Sequence, residues 1–344
     1  MALTKNRIPM ALTMGDPAGI GPEIILKAFA AYPHDMQDSV VIGNLSLMRH
    51  QLVQLSAHLP MTLHCLEVSS PMQALNVPAG HVPVINVTPD VAIENGQVSA
   101  AAGRMAADAV TWAARAALRA EVSAVVTAPL HKKALSLAGV PYPGHTEMLQ
   151  ALAAEYLGLP VADLPVRMML SSPGLRVVLV SIHVSLRQAI DAVTAANVLQ
   201  TLQIIHRSWP ALHGRYPRIW VAGLNPHSGE EGLFGQEEIE MIAPAIAQAT
   251  ALGLQVSGPF PPDTVFMQAL QARGADAPDV VVAMYHDQGL IPVKLLGIEH
   301  GVNQTLGLPF VRTSPDHGTA FDLAGQGLAD PRSLLAAVRA ARGS

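Results

Sequence analysis

Val280-Val281-Val282-Ala283-Met284 is an unbroken apolar run, and Tyr285-His286-Asp287-Gln288-Gly289 follows it directly. A run without polar alternation suits a strand covered on both faces, as in a parallel sheet. In such sheets ligands collect beyond the carboxyl ends of the strands. Four more runs end in the same manner. Residues 8–13 lead into Met14-Gly15-Asp16-Pro17-Ala18-Gly19-Ile20-Gly21-Pro22-Glu23, and residues 122–127 into Ala128-Pro129-Leu130-His131-Lys132-Lys133. Residues 177–182 lead into His183, and residues 218–222 into Gly223-Leu224-Asn225-Pro226-His227. A further strand is expected at 39–42. Helical patterns fill 23–30, 101–119, 146–156, 195–208, 236–250 and 334–342, while 71–89 reads as the most loop-like stretch. Strand–helix alternation of this kind predicts an α/β fold with a largely parallel sheet.

Composition narrows the function. The chain has 344 residues, 50% hydrophobic and only 4% aromatic, so Ala, Val, Leu and Ile carry a core large enough for one or two domains. With 14% charged residues and no charge blocks it is not a disordered chain. The net charge of −5 and the scattered Lys and Arg argue against a nucleic-acid partner. The apolar tract 166–182 is broken by Pro173, Gly174 and Arg176, short of the roughly 20 apolar residues a span needs. Gly15-Asp16-Pro17 ends the first apolar run, and no small-residue cleavage site follows. A cytoplasmic protein without a membrane partner is expected. The single cysteine, Cys65, excludes an internal disulfide and any cysteine-based metal site, so a metal would sit on histidine and carboxylate.

His183, His227 and His286 each follow a strand. One such histidine is commonly a structural hydrogen-bonding group. Three on one sheet point equally to a divalent-metal site with positions open for substrate. Asp263 and Asp287 are candidate further ligands or partners that orient the imidazoles. The loop 15–22 reads either as a tight strand–helix turn or as an anion cradle, and it has neither the dinucleotide fingerprint nor the P-loop spacing. In Gly144-His145-Thr146-Glu147, Thr146 is a natural helix cap, and His145 would face an anion at the helix start. Lys294, Asn303 and Arg312 are polar residues isolated in the apolar tract 290–313. Lysine suits a phosphate point charge and arginine a carboxylate fork, against the alternative of solvated loop cations.

Taken together, these motifs resemble the family of 4-hydroxythreonine-4-phosphate dehydrogenase, which acts in pyridoxal phosphate synthesis. The likeness runs through 14–23, 144–147, 223–227, 285–289, the stretch Gly301-Val302-Asn303-Gln304-Thr305-Leu306-Gly307-Leu308-Pro309-Phe310-Val311-Arg312-Thr313-Ser314, and Asp316-His317-Gly318-Thr319-Ala320. The resemblance implies an isocitrate/isopropylmalate dehydrogenase-like fold, a two-domain α/β/α sandwich with mixed, largely parallel sheets. It implies one domain of 1–140 plus 300–344 on the nucleotide side, and another of 141–299 carrying the metal histidines and a dimer interface. His183, His227 and His286 match the family's metal ligands for Zn, Mg or Co. His145, Thr146, Lys294, Asn303 and Arg312 match its substrate contacts. His317, Gly318, Thr319 and Ala320 look like the nucleotide turn for NAD or NADP, with Gly15 and Asp16 beside it, and Lys132, Asp263 and Asp287 are candidates for proton relay. A homodimer with the site shared between subunits is also implied. One departure is notable. Vitamin-pathway members often carry Pro-Gly-Glu-Pro-Ala-Gly where this chain has Met14-Gly15-Asp16-Pro17-Ala18-Gly19. The form here is shared with paralogues acting on 4-phosphoerythronate or 4-phosphothreonate, and also with some vitamin-pathway members. A rival class is an acyl-phosphate transferase of similar fold; a metal-storing dimer would leave Lys294 and Arg312 without purpose.

Overall fold

A computed structural model describes residues 7–343. Its strands are β1 (Met10–Thr13), β2 (Ser39–Gly43), β3 (His64–Glu67), β4 (His81–Asn86), β5 (Ala124–Thr127) and β6 (Arg167–Ser172). There follow β7 (Leu175–Leu179), β8 (Arg218–Ala222), β9 (Gln255–Phe260), β10 (Val280–Ala283), β11 (Val302–Leu306) and β12 (Val311–Pro315). The chain divides into two compact units, one of residues 1–164 with 308–344 and the other of 165–307.

In the first unit the strand order is β3-β4-β2-β1-β5-β12, and every pairing is parallel. Ala11, Val40, Ile42, Ile85 and Val125 pack from one face against Ala109, Ala113 and Ala116 of the helix Ala100–Leu118. Alanine on that helix lets it lie close to the sheet, which is why a core so poor in aromatics still closes. Ser99 caps the helix by accepting the Ala102 N–H at 3.1 Å. In the second unit the order is β11-β6-β7-β10-β8-β9. β11, β6 and β7 pair antiparallel, and the rest are parallel. Alternation along β10 feeds two cores. Val280 and Val282 pack with the helix Ala195–Ser208, while Val281 and Ala283 pack with the helix Val265–Gln271. The fold is therefore α/β with mixed, largely parallel pairing. Among the described residues no helix is long and apolar enough to cross a membrane.

Two boundaries differ from the sequence reading. The helix His145–Leu157 buries Met148, Leu149 and Leu152 against Ala107, Val110 and Ala114, so it belongs to the first unit and not to a domain of 141–299. At the other end, β11 pairs with β6, which keeps residues up to 307 in the second unit. The stretch 71–89 is not a loop throughout, because it contains β4.

Candidate active site

Each unit gathers its chemistry at the carboxyl ends of its strands. In the first unit, β1 hands over to Gly15, whose φ of +74° and whose position against Pro129 O, 2.4 Å from where a Cβ would stand, admit no side chain. Asp16 is fully buried. Its Oδ1 accepts the Ala18 N–H at 2.9 Å, and its own N–H bonds Pro129 O at 2.9 Å. Burial raises the Asp16 pKa above its ordinary value, against the pull of the Ala18 N–H and of His131. The loop then meets the 317–320 turn, where Ile20 N–H bonds Thr319 O at 3.0 Å. Glu23, buried in the helix Gly21–Ala31, accepts the Ala329 N–H at 2.8 Å and pairs with Lys27 at 2.9 Å. Gly15, Asp16, Thr319 and Ala320 thus share one neighbourhood, with His131 stacked on Phe321 at 4.9 Å. Ala320 has a φ of +40°, a conformation few non-glycine residues adopt.

Arg312 on β12 is 3% exposed and donates from Nη2 to Thr127 Oγ1 at 2.7 Å. Burial brings its pKa down to about 10, with Glu147 pulling the other way. Burial, and after it the charge of Arg312, holds His145 well below the usual imidazole range, so this ring is neutral at pH 7. His145 is the first residue of its helix and Gly144 occupies the cap position without a side-chain bond; Thr146, expected as the cap, lies inside the first turn. Lys132 is exposed at the start of the helix Lys132–Leu137.

The second unit carries the histidines. β7 and β10 run on as a pair, with Val180 N–H bonding Ala283 O at 2.9 Å and Ser181 Oγ donating to Met284 O at 3.0 Å. This brings the His183 and His286 rings to 5.8 Å between centroids. Both line a cavity of about 480 Å³ with Ile182, Tyr285 and Asp287. His286 Nδ1–H donates to Asp287 Oδ1 at 2.7 Å, which leaves Nε2 as the ring's acceptor. Asp287 therefore orients an imidazole. His227 does not join the pair. Its ring lies 6.1 Å from that of Phe234, and its Nδ1 is 3.8 Å from Glu230 Oε2. Lys294 is exposed at the end of the helix His286–Lys294, Asn303 is half-buried on β11 opposite Leu170, and Asp263 is exposed in the turn after β9.

Backbone strain concentrates at these histidines. His183 has a φ of +51°, and residues 227–231 are five consecutive left-handed residues, of which only Gly229 is a glycine. Left-handed backbone costs non-glycine residues roughly 1–2 kcal/mol each and persists where the surroundings over-determine it, commonly at ligand sites.

The residues fit an absent cofactor in part. For a nucleotide, Asp16 Oδ2, His131 Nδ1 and His317 Nε2 are buried polar atoms without hydrogen-bond partners among the described residues, the kind of group a ligand satisfies. For a metal, two imidazoles stand side by side, but among the described residues no group of three His, Cys, Asp or Glu side chains is placed to hold an ion. Sequence reasoning overlooked two polar side chains here, Glu238 and Gln288. Glu238 lies 3% exposed under the His227 loop, and Gln288 bonds Gly223 O at 2.8 Å.

Comparison with known proteins supplies the class. The family model described as "Pyridoxal phosphate biosynthetic protein PdxA" matches residues 35–341. A 4-hydroxythreonine-4-phosphate dehydrogenase of Beijerinckia indica subsp. indica is 48% identical over 332 residues, covering 95% of this chain and 92% of that protein. A D-threonate 4-phosphate dehydrogenase of Salmonella typhimurium is 44% identical over 336 residues, covering 96% and 97%. The crystal structure of 4-hydroxythreonine-4-phosphate dehydrogenase from Klebsiella pneumoniae aligns with a TM-score of 0.85 at 41% identity, covering 97% of this chain and 98% of that one. A branched-chain phosphotransacylase from Enterococcus faecalis, at 10% identity and a TM-score of 0.50, shares the fold alone. An α/β enzyme with such relatives is an oxidoreductase of the dehydrogenase class. The chain belongs to the PdxA family of pyridoxal phosphate biosynthetic proteins.

Proposed function

We propose that the chain oxidises the secondary alcohol of 4-phosphooxy-L-threonine with NAD or NADP, giving 2-amino-3-oxo-4-phosphooxybutanoate. That β-keto acid loses carbon dioxide to give 3-amino-2-oxopropyl phosphate, on the route to pyridoxal 5'-phosphate. The observation that carries this reading is the pair of strand-end imidazoles, His183 and His286, 5.8 Å apart in a chain whose relatives are dehydrogenases of 4-phosphorylated hydroxy acids.

His183 and His286 would hold a divalent metal (Zn, Mg or Co); His227, which stands apart from the pair here, is the third ligand that the family resemblance implies. Such a metal, when bound, polarises a hydroxyl and lowers its pKa. A nicotinamide nucleotide, when bound at 317–320 beside Gly15 and Asp16, supplies the electron acceptor. The chain's own residues do the rest. Neutral His145 donates a hydrogen bond without adding charge, while Arg312 and Lys294 offset the anionic groups and Asn303 and Thr146 contribute polar contacts. Asp287, engaged by His286, is better suited to orienting that ring, so proton relay falls to Lys132 or Asp263.

The architecture in this reading is the two-domain sandwich of the isocitrate and isopropylmalate dehydrogenases, in a cytoplasmic homodimer with its site at the subunit interface. Support for the dimer comes from apolar side chains exposed just after each histidine: Leu186 and Ile190 after His183, Leu233 and Phe234 after His227, Ile291 and Leu295 after His286.

A second reading has a specific observation behind it. The 44%-identical D-threonate 4-phosphate dehydrogenase supports a substrate of the 4-phospho-D-threonate or 4-phospho-D-erythronate kind. The test is a panel of these three phosphorylated hydroxy acids with NAD⁺ or NADP⁺ and each metal, read as absorbance of the reduced nucleotide. Turnover is expected with the first, and preference for a phosphoerythronate or phosphothreonate would select the second reading. No nucleotide reduction with any of the three, together with acyl phosphate formation in a parallel assay supplying an acyl-CoA thioester and inorganic phosphate, would overturn both in favour of a phosphotransacylase.

A further inference from the structure

The helix Gly21–Ala31 starts where the loop of Gly15 and Asp16 ends, and along its first two turns it fastens a stretch far away in sequence, residues 319–329. At one end of that stretch, Ile20 N–H donates to Thr319 O at 3.0 Å. Gly19 makes room for this contact, because a Cβ there would stand 2.8 Å from the same carbonyl oxygen. At the other end, Lys27 Nζ donates to Gly327 O at 2.7 Å and to Ala329 O at 2.8 Å. Its third partner is Glu23 Oε1 at 2.9 Å, and that oxygen also accepts the Ala329 N–H at 2.8 Å. Three ammonium donors thus meet three acceptors.

The Glu23 side chain is 1% exposed and that of Lys27 14%. A buried ion pair is weak evidence for stability, since desolvation offsets its attraction. Here both members direct their remaining bonds to the backbone of 327–329. Between the two fastenings the chain runs through tight turns, with Leu323 N–H on Ala320 O at 2.9 Å and Gln326 N–H on Leu323 O at 3.1 Å. Phe321 stacks on His131 at 4.9 Å. One helix therefore carries both walls of the candidate nucleotide site, all within the first unit. The Asp16 loop runs into its start, and the 317–320 turn is tied to its side.

We infer that Glu23 and Lys27 are positioning residues that hold the 317–320 turn against the Asp16 loop and so set the affinity of the first unit for a nicotinamide nucleotide. This rests on the nucleotide reading above. Lysine suits the task because its compact head offers three donors to three separate oxygens. A methionine of similar length would fill the space and release Gly327 and Ala329.

The test titrates full-length protein, without substrate, with NADH and NADPH, followed by nucleotide fluorescence. Hydrogen exchange of 319–329 in nucleotide-free protein and melting temperature are measured in parallel. Wild type should bind at least one of the two nucleotides. Lys27→Met should bind it roughly 10-fold more weakly, the low end for losing a hydrogen bond to a charged group, and its 319–329 amides should exchange faster. Lys27→Arg keeps the charge without the three-point geometry and should fall between the two. Lys27→Met leaves Glu23 buried without its cation, so it should also melt earlier. Glu23→Gln combined with Lys27→Met removes both charges and should still bind weakly. Variants that melt earlier yet bind nucleotide as tightly as wild type would overturn the inference and leave the nucleotide reading standing. Wild type that binds neither nucleotide would overturn the nucleotide reading and the inference with it. Should Lys27→Met fail to fold, Lys27→Arg and the double variant decide the matter.

Discussion

The carboxyl-end faces of the two units handle polarity in opposite ways. In the first, Arg312, Asp16 and Thr127 are buried, and Arg312 and Thr127 are hydrogen-bonded to each other. In the second, His183 and His227 are exposed and His286 is half-buried, on strained backbone beside a loop that the buried Glu238 carboxylate holds. A buried guanidinium is part of what folds the first unit, so changing it alters stability and binding together. Exposed imidazoles on strained loops contribute little to folding. Substitution there should separate function from stability.

The largest effect is expected where that separation is cleanest. His286→Ala should lower turnover roughly a thousandfold, equivalent to several kcal/mol of lost charge stabilisation, while melting temperature barely moves. Parallel steady-state kinetics and calorimetry check this, and a matching loss of stability would erase the contrast between the units. Next come the phosphate contacts. Lys294→Ala and His145→Ala should each raise KM for a phosphorylated substrate about 10- to 150-fold, the range of a charge-assisted hydrogen bond, with little change for its dephosphorylated analogue. Equal losses on both substrates would remove phosphate reading from these side chains.

Smaller effects belong to the first unit. Thr127→Val deprives Arg312 Nη2 of its 2.7 Å acceptor and should cost about 1.5–3 kcal/mol in urea unfolding. The smallest concerns pH. His145 is depressed well below its ordinary value of 6.5, by burial first and Arg312 second, so the unfolded chain binds the proton more readily. Its contribution to stability is complete above pH 6.5 and is lost as pH falls below that value. Unfolding of His145→Gln should show a shallower decline over that window than wild type.

Six of the twelve strands among the described residues were legible as apolar runs, and β3, β4, β6, β9, β11 and β12 were not, although β12 and most of β11 are buried. All six expected strands are present, since a run such as 280–284 has few ways to be buried other than in a covered sheet. β3 and β9 escaped notice because they are edge strands with little apolar run to read: β3 exposes His64, Leu66 and Glu67, and β9 contains Gly258 and Pro259. Pro83 disguised β4 as loop. Pro173-Gly174, taken as an interruption, is the turn between antiparallel β6 and β7. At the site, histidines were legible because strand ends are where ligands gather. Glu238 was not, because in Glu237-Glu238-Ile239-Glu240 one carboxylate looks like the next, and only the tertiary path of 224–225 buries it. Thr146 misled for a local reason, since the helix begins one residue before it.

The central proposal is that the paired strand-end imidazoles in the second unit serve a metal-dependent dehydrogenase reaction. The most direct measurement is turnover of chelator-stripped protein with a phosphorylated hydroxy acid and NAD⁺ or NADP⁺, before and after adding back Zn²⁺, Co²⁺ or Mg²⁺. The account predicts no reduction of nucleotide in stripped protein, recovery on adding metal, and no recovery in His183→Ala protein. Undiminished turnover by the metal-free enzyme would contradict it.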